Sequence, residues 1–269
     1  MSETAHIRNL LKQSVNTEPV LVSNDASPLP RFGLRGAATQ IIDSLYELIF
    51  ETFETYTEDK VLVKLSMYAD SDESFFYSTA GNIEDCMPVF QGDFFESFPD
   101  LFITIYISND HIYGNPPPMT DAVYAHAGEN EYDMGEIEVR VYLPATLDSA
   151  LDYLKSCRLE VCGTLAHEMQ HVVQKHCYGE ALGNAENQSV LSHALDKNEI
   201  DARVEEIIAA MEDGYLESNK EYFSKKLSLY IERYLGRNVT EGVVVPDDIK
   251  ETMIFKHLEA YDHKMRGIL

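Results

Sequence analysis

The chain has 269 residues, 45% apolar and 10% aromatic, enough to bury a sizeable core and too apolar for a disordered chain. Its formal net charge of −25 opposes binding to a phosphate backbone, so nucleic acid is not expected as a partner, although an acidic mimic of nucleic acid stays open. No apolar run nears the ~20 residues a membrane span needs, and the start "MSETAHIRNLLKQS" lacks an apolar secretory core. No membrane association and a cytoplasmic location are the expectations.

Residues 1–38 pair a short helical pattern (Ile7, Leu10, Leu11) with "EPVLVSNDASPLPRFGLRG" and read as an extended N-terminal arm. "TQIIDSLYELIFETFETY" (39–56) has Ile41, Ile42, Leu45, Leu48, Ile49 and Phe53 at helical spacing. The β-branched and aromatic runs 60–68 and 101–108 predict strands, with a weaker one at 74–80. The Pro- and Gly-rich stretch 114–135 predicts a long surface loop. In 135–143, Glu136, Glu138 and Arg140 alternate with Ile137, Val139 and Val141, which predicts a half-buried strand at a sheet edge.

Helices are then expected over 148–177, 195–218, 219–235 and 247–265. The first ends near Gly179 with Lys175 and His176 in its last turn. The second has the stripe Ile200, Val204, Ile207, Ile208 and Met211. Strands early and helices late make an α+β pattern. Cys86, Cys157, Cys162 and Cys177 form no CxxC pair and read as free thiols. Residues 39–152 hold 23 of the 46 acidic residues against Lys60, Lys64 and Arg140. That imbalance fits either a solvated surface or a peptide or protein partner of basic character.

The chemistry concentrates in "TLAHEMQHVVQKH" (164–176). On a helix, His167 and His171 project from one face a turn apart and can share one ion. Glu168 sits one residue round, in reach of a water on that ion without displacing a ligand. Zinc with three protein ligands leaves a fourth position for water and lowers its pKa towards ~7. A carboxylate can then act as general base in attack on a carbonyl. The flanking Leu165, Ala166, Val172 and Val173 place this helix inside the protein, where two histidines need partners. The plain alternative is a pair of histidines solvated on an exposed turn. The third ligand is open among His193, Asp196, Glu199 and Asp201.

HExxH followed some tens of residues later by "NEIDARVEEI" resembles the zincin metallopeptidases in their glutamate-ligand (gluzincin) branch, and specifically small zincin-like proteins of phages and bacteria. The likeness covers residues 160–208. It implies a zincin-like α+β fold, a small mixed sheet with an edge strand before a long HExxH-bearing helix. A catalytic domain would span 39–218, with a helical C-terminal extension, 219–269, packed on it. It implies one Zn2+ per chain held by His167, His171 and Glu199, with Glu168 as general base in peptide-bond hydrolysis by metal-activated water. The strand at 135–143 would be the edge along which a peptide substrate adds.

One feature departs from the family. Many gluzincins carry an Asp four residues after the ligand Glu; here Arg203 stands there and Asp201 is two residues on. Asp196 and Glu199 also fit a variant helix capping box. An oxyanion-stabilising donor can come from Tyr178, His193, Tyr215, His257, Tyr261 or His263, and the sequence ranks none of them. The reading from another class is an acidic interaction protein on a zincin scaffold, with a structural or inactive metal site.

Overall fold

The computed structural model describes residues 33–55, 62–68, 75–78, 81–82, 92–98, 101–108, 123–129, 135–142, 147–178, 194–211, 220–240 and 247–268. Helix α1 (Leu34–Thr55) buries Ala37, Ala38, Ile41, Ile42, Leu45 and Tyr46 on one face, as spacings of three and four require. It begins before the apolar period does, so 34–38 are helix and not the end of an extended arm. Gly33, at φ +62°, sets the entry, and its carbonyl accepts from Ala37 N at 3.0 Å. The rest of the arm, 1–32, lies outside the described residues.

Strands β1 (Leu62–Tyr68), β2 (Phe75–Ser78) and β3 (Gly81–Asn82) pair antiparallel in succession. The short helix α2 (Asp93–Ser97) buries Phe94 and Phe95 ahead of β4 (Phe102–Ser108), which pairs antiparallel with β1. Next come β5 (Val123–Glu129) and β6 (Gly135–Tyr142). β6 inserts between β4, to which it is parallel, and β5, to which it is antiparallel. Among the described residues the strands make one six-stranded mixed sheet, β3-β2-β1-β4-β6-β5.

This corrects the expected edge. β6 is interior, with both of its hydrogen-bonding sides used, and β5 is the edge strand. Alternation in β6 does mark two unlike faces: Ile137, Val139 and Val141 are buried, while Arg140 pairs with Glu138 on the other face. A polar face says nothing about how many strands lie alongside, because pairing uses the backbone. β5 itself falls in the stretch read as a loop, 114–135. Its seven residues, "VYAHAGE", are hidden between turn-forming segments.

Helix α3 (Leu147–Tyr178) packs across β5 and β6 and against α1. Leu154, Cys157, Val161, Leu165, Ala166, Met169 and Val172 join Ile103, Ile105 and the β6 residues in one core. Tyr46 of α1 fastens the contact by donating its hydroxyl to the Leu154 carbonyl at 2.9 Å. Cys157 and Cys162 are buried free thiols; burial pushes both thiols up, so they stay protonated and act as apolar filler. Cys86 and the Cys177 side chain lie outside the described part.

The opposite side of α3 lies against α4 (Lys197–Ala209). α4 is shorter than the expected 195–218: Asp196 caps its start, the chain turns at Ala210 and Met211, and 212–219 lie outside the described residues. α5 (Lys220–Thr240) and α6 (Asp247–Ile268) complete a second core with α4. Phe223, Leu227 and Ile231 on α5 meet Ile249, Met253 and Tyr261 on α6, each set spaced by multiples of four, and the Phe223 and Tyr261 rings stack at 4.1 Å. The architecture is α+β. No helix among the described residues is long and apolar enough to cross a membrane.

The α3–α4 approach is closest at Gly163. A Cβ there would stand 2.7 Å from the Glu206 carbonyl oxygen and 3.0 Å from Ala210 Cβ, backbone and short side chain that cannot swing aside. Gly163→Ala is therefore predicted to cost about 1–3 kcal/mol by forcing the helices apart. Gly135→Ala meets only the flexible Leu101 Cδ1, at 3.3 Å, and should cost far less. Urea unfolding of both variants checks this, and equal midpoints would refute the close-packing account.

Candidate metal centre

The turn 165–170 of α3 is buried on all sides, between the sheet on one flank and α4 on the other. It carries His167, Glu168 and Gln170, polar groups that are costly to enclose without partners. His167 is 6% exposed and Glu168 7%. Partners for His167 and Gln170 come from α4, between Glu199 and Glu206.

His167 Nε2 and His171 Nε2 face each other at 3.1 Å. The Glu199 carboxylate closes the triangle, with Oε1 at 3.1 Å from His171 Nε2 and Oε2 at 3.6 Å from His167 Nε2. One ligand atom from each of the three residues lies within 4.8 Å of the other two. Of the four candidates for third ligand, Glu199 is the residue brought to the histidines. The capping role falls to Asp196, whose Oδ1 accepts from Asn198 N at 2.8 Å. Asp201 lies behind the histidines, on Gln170 and Gln174. His193 lies outside the described residues.

Both imidazoles are oriented from behind. Gln174 Nε2 donates to the Asn198 carbonyl at 2.9 Å and reaches Asp201 Oδ2 at 3.5 Å, and both are acceptors only. The amide oxygen must therefore face His171 Nδ1, 2.9 Å away. It can only accept, so Nδ1 carries the proton and the Nε2 lone pair of the neutral ring turns towards Glu199 and His167. His167 repeats the arrangement with a charge: its Nδ1 lies 3.1 Å from Glu206 Oε2, in reach though not aligned as a standard hydrogen bond.

Glu206 is in turn paired with Arg203, whose guanidinium lies 4.3 Å over the Tyr230 ring. Burial would raise the Glu206 carboxyl, but Arg203 and His167 outweigh it and hold it below the usual range. Arg203 thus acts on the anion behind His167 rather than on a ring. Burial alone would lower His171, yet the bond to Glu199 and the charges of Glu199 and Glu168 prevail and raise it. The pocket attracts positive charge.

Sequence reasoning missed Gln174 and Glu206. Both carried a signal: Gln174 follows His171 by three residues, one helical turn, and Glu206 follows Glu199 by seven, two turns on one face. Among the candidate oxyanion donors, Tyr261 is stacked in the α5–α6 core and His263 is exposed. His257 is buried with Nδ1 donating to the Met253 carbonyl at 2.7 Å. Tyr215, like His193, is outside the described residues, as is the Tyr178 side chain. None of them is assigned the role.

Comparison with protein-family models, with curated proteins and with solved structures returned no match.

Burial, with the nearby Arg203 charge, lowers His257 to about 4 despite its bond to Met253. The unfolded chain, with a value near ~6.5, therefore binds the proton first. Stability from this residue is fully present above that pH and is lost as pH falls towards 4, on the order of 3 kcal/mol. Replacing it with Gln, which can still donate to Met253, should flatten the fall between pH 6.5 and 4. Chemical unfolding across that range tests the prediction, and an unchanged slope would reject it.

Proposed function

We propose that this chain is a zinc-dependent metallopeptidase of zincin-like architecture. His167, His171 and Glu199 would hold one Zn2+ per chain, and Glu168 would serve as general base. The observation that carries this reading is the convergence of two imidazole Nε2 atoms and one carboxylate at 3.1, 3.1 and 3.6 Å, with His171 Nδ1 bonded to Gln174 and His167 Nδ1 3.1 Å from the Glu206 carboxylate. Ligands ~2.0–2.1 Å from a tetrahedral ion stand roughly 3.3–3.4 Å apart, so the donor set fits zinc in spacing as well as in chemistry.

Zn2+ bound there would supply a Lewis acid that makes water nucleophilic near neutral pH. The protein's own groups do the rest. Glu168 is buried beside the ligand His167 and lies close enough to His171 and Arg203 for its charge to act on both. It takes a proton from the attacking water and passes it to the amine as the C–N bond breaks. A structural site has no need of such a carboxylate, which favours catalysis over a scaffold that merely holds metal.

The substrate class follows from the sheet. β5 packs against α3 and ends the sheet among the described residues, and a further strand added by an extended peptide would pair along it. The acidic excess over 39–152 favours a peptide or protein with basic residues.

Untagged protein purified without chelator should contain about one zinc per chain, with markedly less in Glu199→Ala. Glu168→Gln should keep the metal and lose peptidase activity on basic peptides by on the order of 10²–10⁴-fold. Metal analysis and a peptide cleavage assay on the same preparations decide the matter. Zinc in the wild type with no cleavage of any peptide would favour the acidic interaction protein instead. A wild type that takes up no zinc would remove both metal readings.

A further inference from the structure

Lys264, on the last helix, is joined to the site through side chains. Its Nζ lies 3.2 Å from Asp201 Oδ1 and 2.8 Å from Glu205 Oε1, and its side chain is only 17% exposed. The other Asp201 oxygen, Oδ2, accepts from Gln170 Nε2 at 2.7 Å and is reached by Gln174 Nε2 at 3.5 Å. Gln174 then presents its amide oxygen to His171 Nδ1.

The division of the carboxylate is what matters. An Asp carboxylate turns readily about its terminal torsion, and donors on both of its oxygens restrain that turn more than donors on one. Lys264 holds Oδ1, which leaves Oδ2 on the two glutamine amides. With Asp201 fixed, Gln174 Nε2 keeps a second acceptor beside the Asn198 carbonyl, which supports the amide orientation that leaves the Nδ1 proton on His171 and aims its Nε2 at Glu199. Gln170 and Gln174 come from the same helix as the histidines, and Asp201 from the same helix as Glu199. Lys264 alone in this chain of contacts comes from α6.

We infer that Lys264 is a positioning residue for His171, acting through Asp201 and Gln174, so that the C-terminal helix sets the metal affinity of a site built on α3 and α4. This rests on the metal reading above. Glu205 provides an internal control. It shares the same ammonium, yet among the described residues the link to Gln170 and Gln174 runs through Asp201.

The test compares full-length wild type, Lys264→Met, Lys264→Arg and Glu205→Gln. Zinc affinity is read by competition with a chromophoric chelator, the Co2+ form by its visible spectrum, and the metal-free fold by thermal unfolding. Lys264→Met should bind zinc about tenfold more weakly and alter the Co2+ spectrum, while Lys264→Arg restores both. Glu205→Gln should lose stability as Lys264→Met does and bind zinc as wild type does.

Unchanged zinc affinity in Lys264→Met overturns the inference. So does an equal loss in Glu205→Gln, because the effect would then be α4–α6 packing alone. If Lys264→Met does not fold, Asp201→Asn carries the same test, since an amide cannot accept with both atoms; wild-type affinity there also overturns it. A wild type that binds no zinc overturns the metal reading itself, and this inference falls with it.

Discussion

Two imidazole Nε2 atoms and a carboxylate meet across 3.1–3.6 Å inside a buried helix turn, and that convergence constrains everything around it. Such groups repel one another strongly where water is scarce, unless a positive charge lies among them. Gln174 bonds His171 Nδ1 and Glu206 lies 3.1 Å from His167 Nδ1, so both Nε2 atoms face the crowded side. Holding that geometry requires α4 to lie unusually close to α3, and Gly163 permits the approach by having no side chain opposite the Glu206 carbonyl. The start of α4 must also be fixed, and the Asp196 cap places Glu199 in the first turn.

α4 consequently belongs to two structures at once. Val204, Ile207 and Ile208 face the α5–α6 core, and Ala209 reaches the core of the sheet. Glu199 and Glu206, two turns apart, face the histidines, and Arg203 and Asp201 brace the groups behind them. A helix with so many obligations has little freedom to move, and rigidity of this kind is what a metal site needs from the residues behind its ligands.

The features readable in the sequence were those with a local period. Ile41, Ile42 and Leu45 marked α1, the 135–142 alternation marked β6, and the four-residue spacing of His167 and His171 marked one face of a helix. What could not be read was lateral. Strand order depends on which backbones meet, so β6 looked like an edge and β5 like a loop. Glu199 came from a resemblance, because a capping box fitted the same residues and only the position of α4 relative to α3 separates the two roles. Gln174, Glu206 and Lys264 are ordinary residues for a helix surface; they acquire a role when a second or third helix closes over them.

The charge count of the pocket bears on which cation suits it. With both rings neutral, Glu199 and Glu168 leave two negative charges, while Glu206 is offset by Arg203. A proton on His171, which the surrounding carboxylates favour, cancels one of them. A divalent ion cancels both. Two nitrogen donors argue against magnesium and calcium, which prefer oxygen. The Irving–Williams order would put copper ahead of zinc, but copper(II) prefers a tetragonal arrangement. On the reading proposed here, His167, His171 and Glu199 would hold a tetrahedral ion such as zinc, and the buried carboxylate of Glu168 would act beside it.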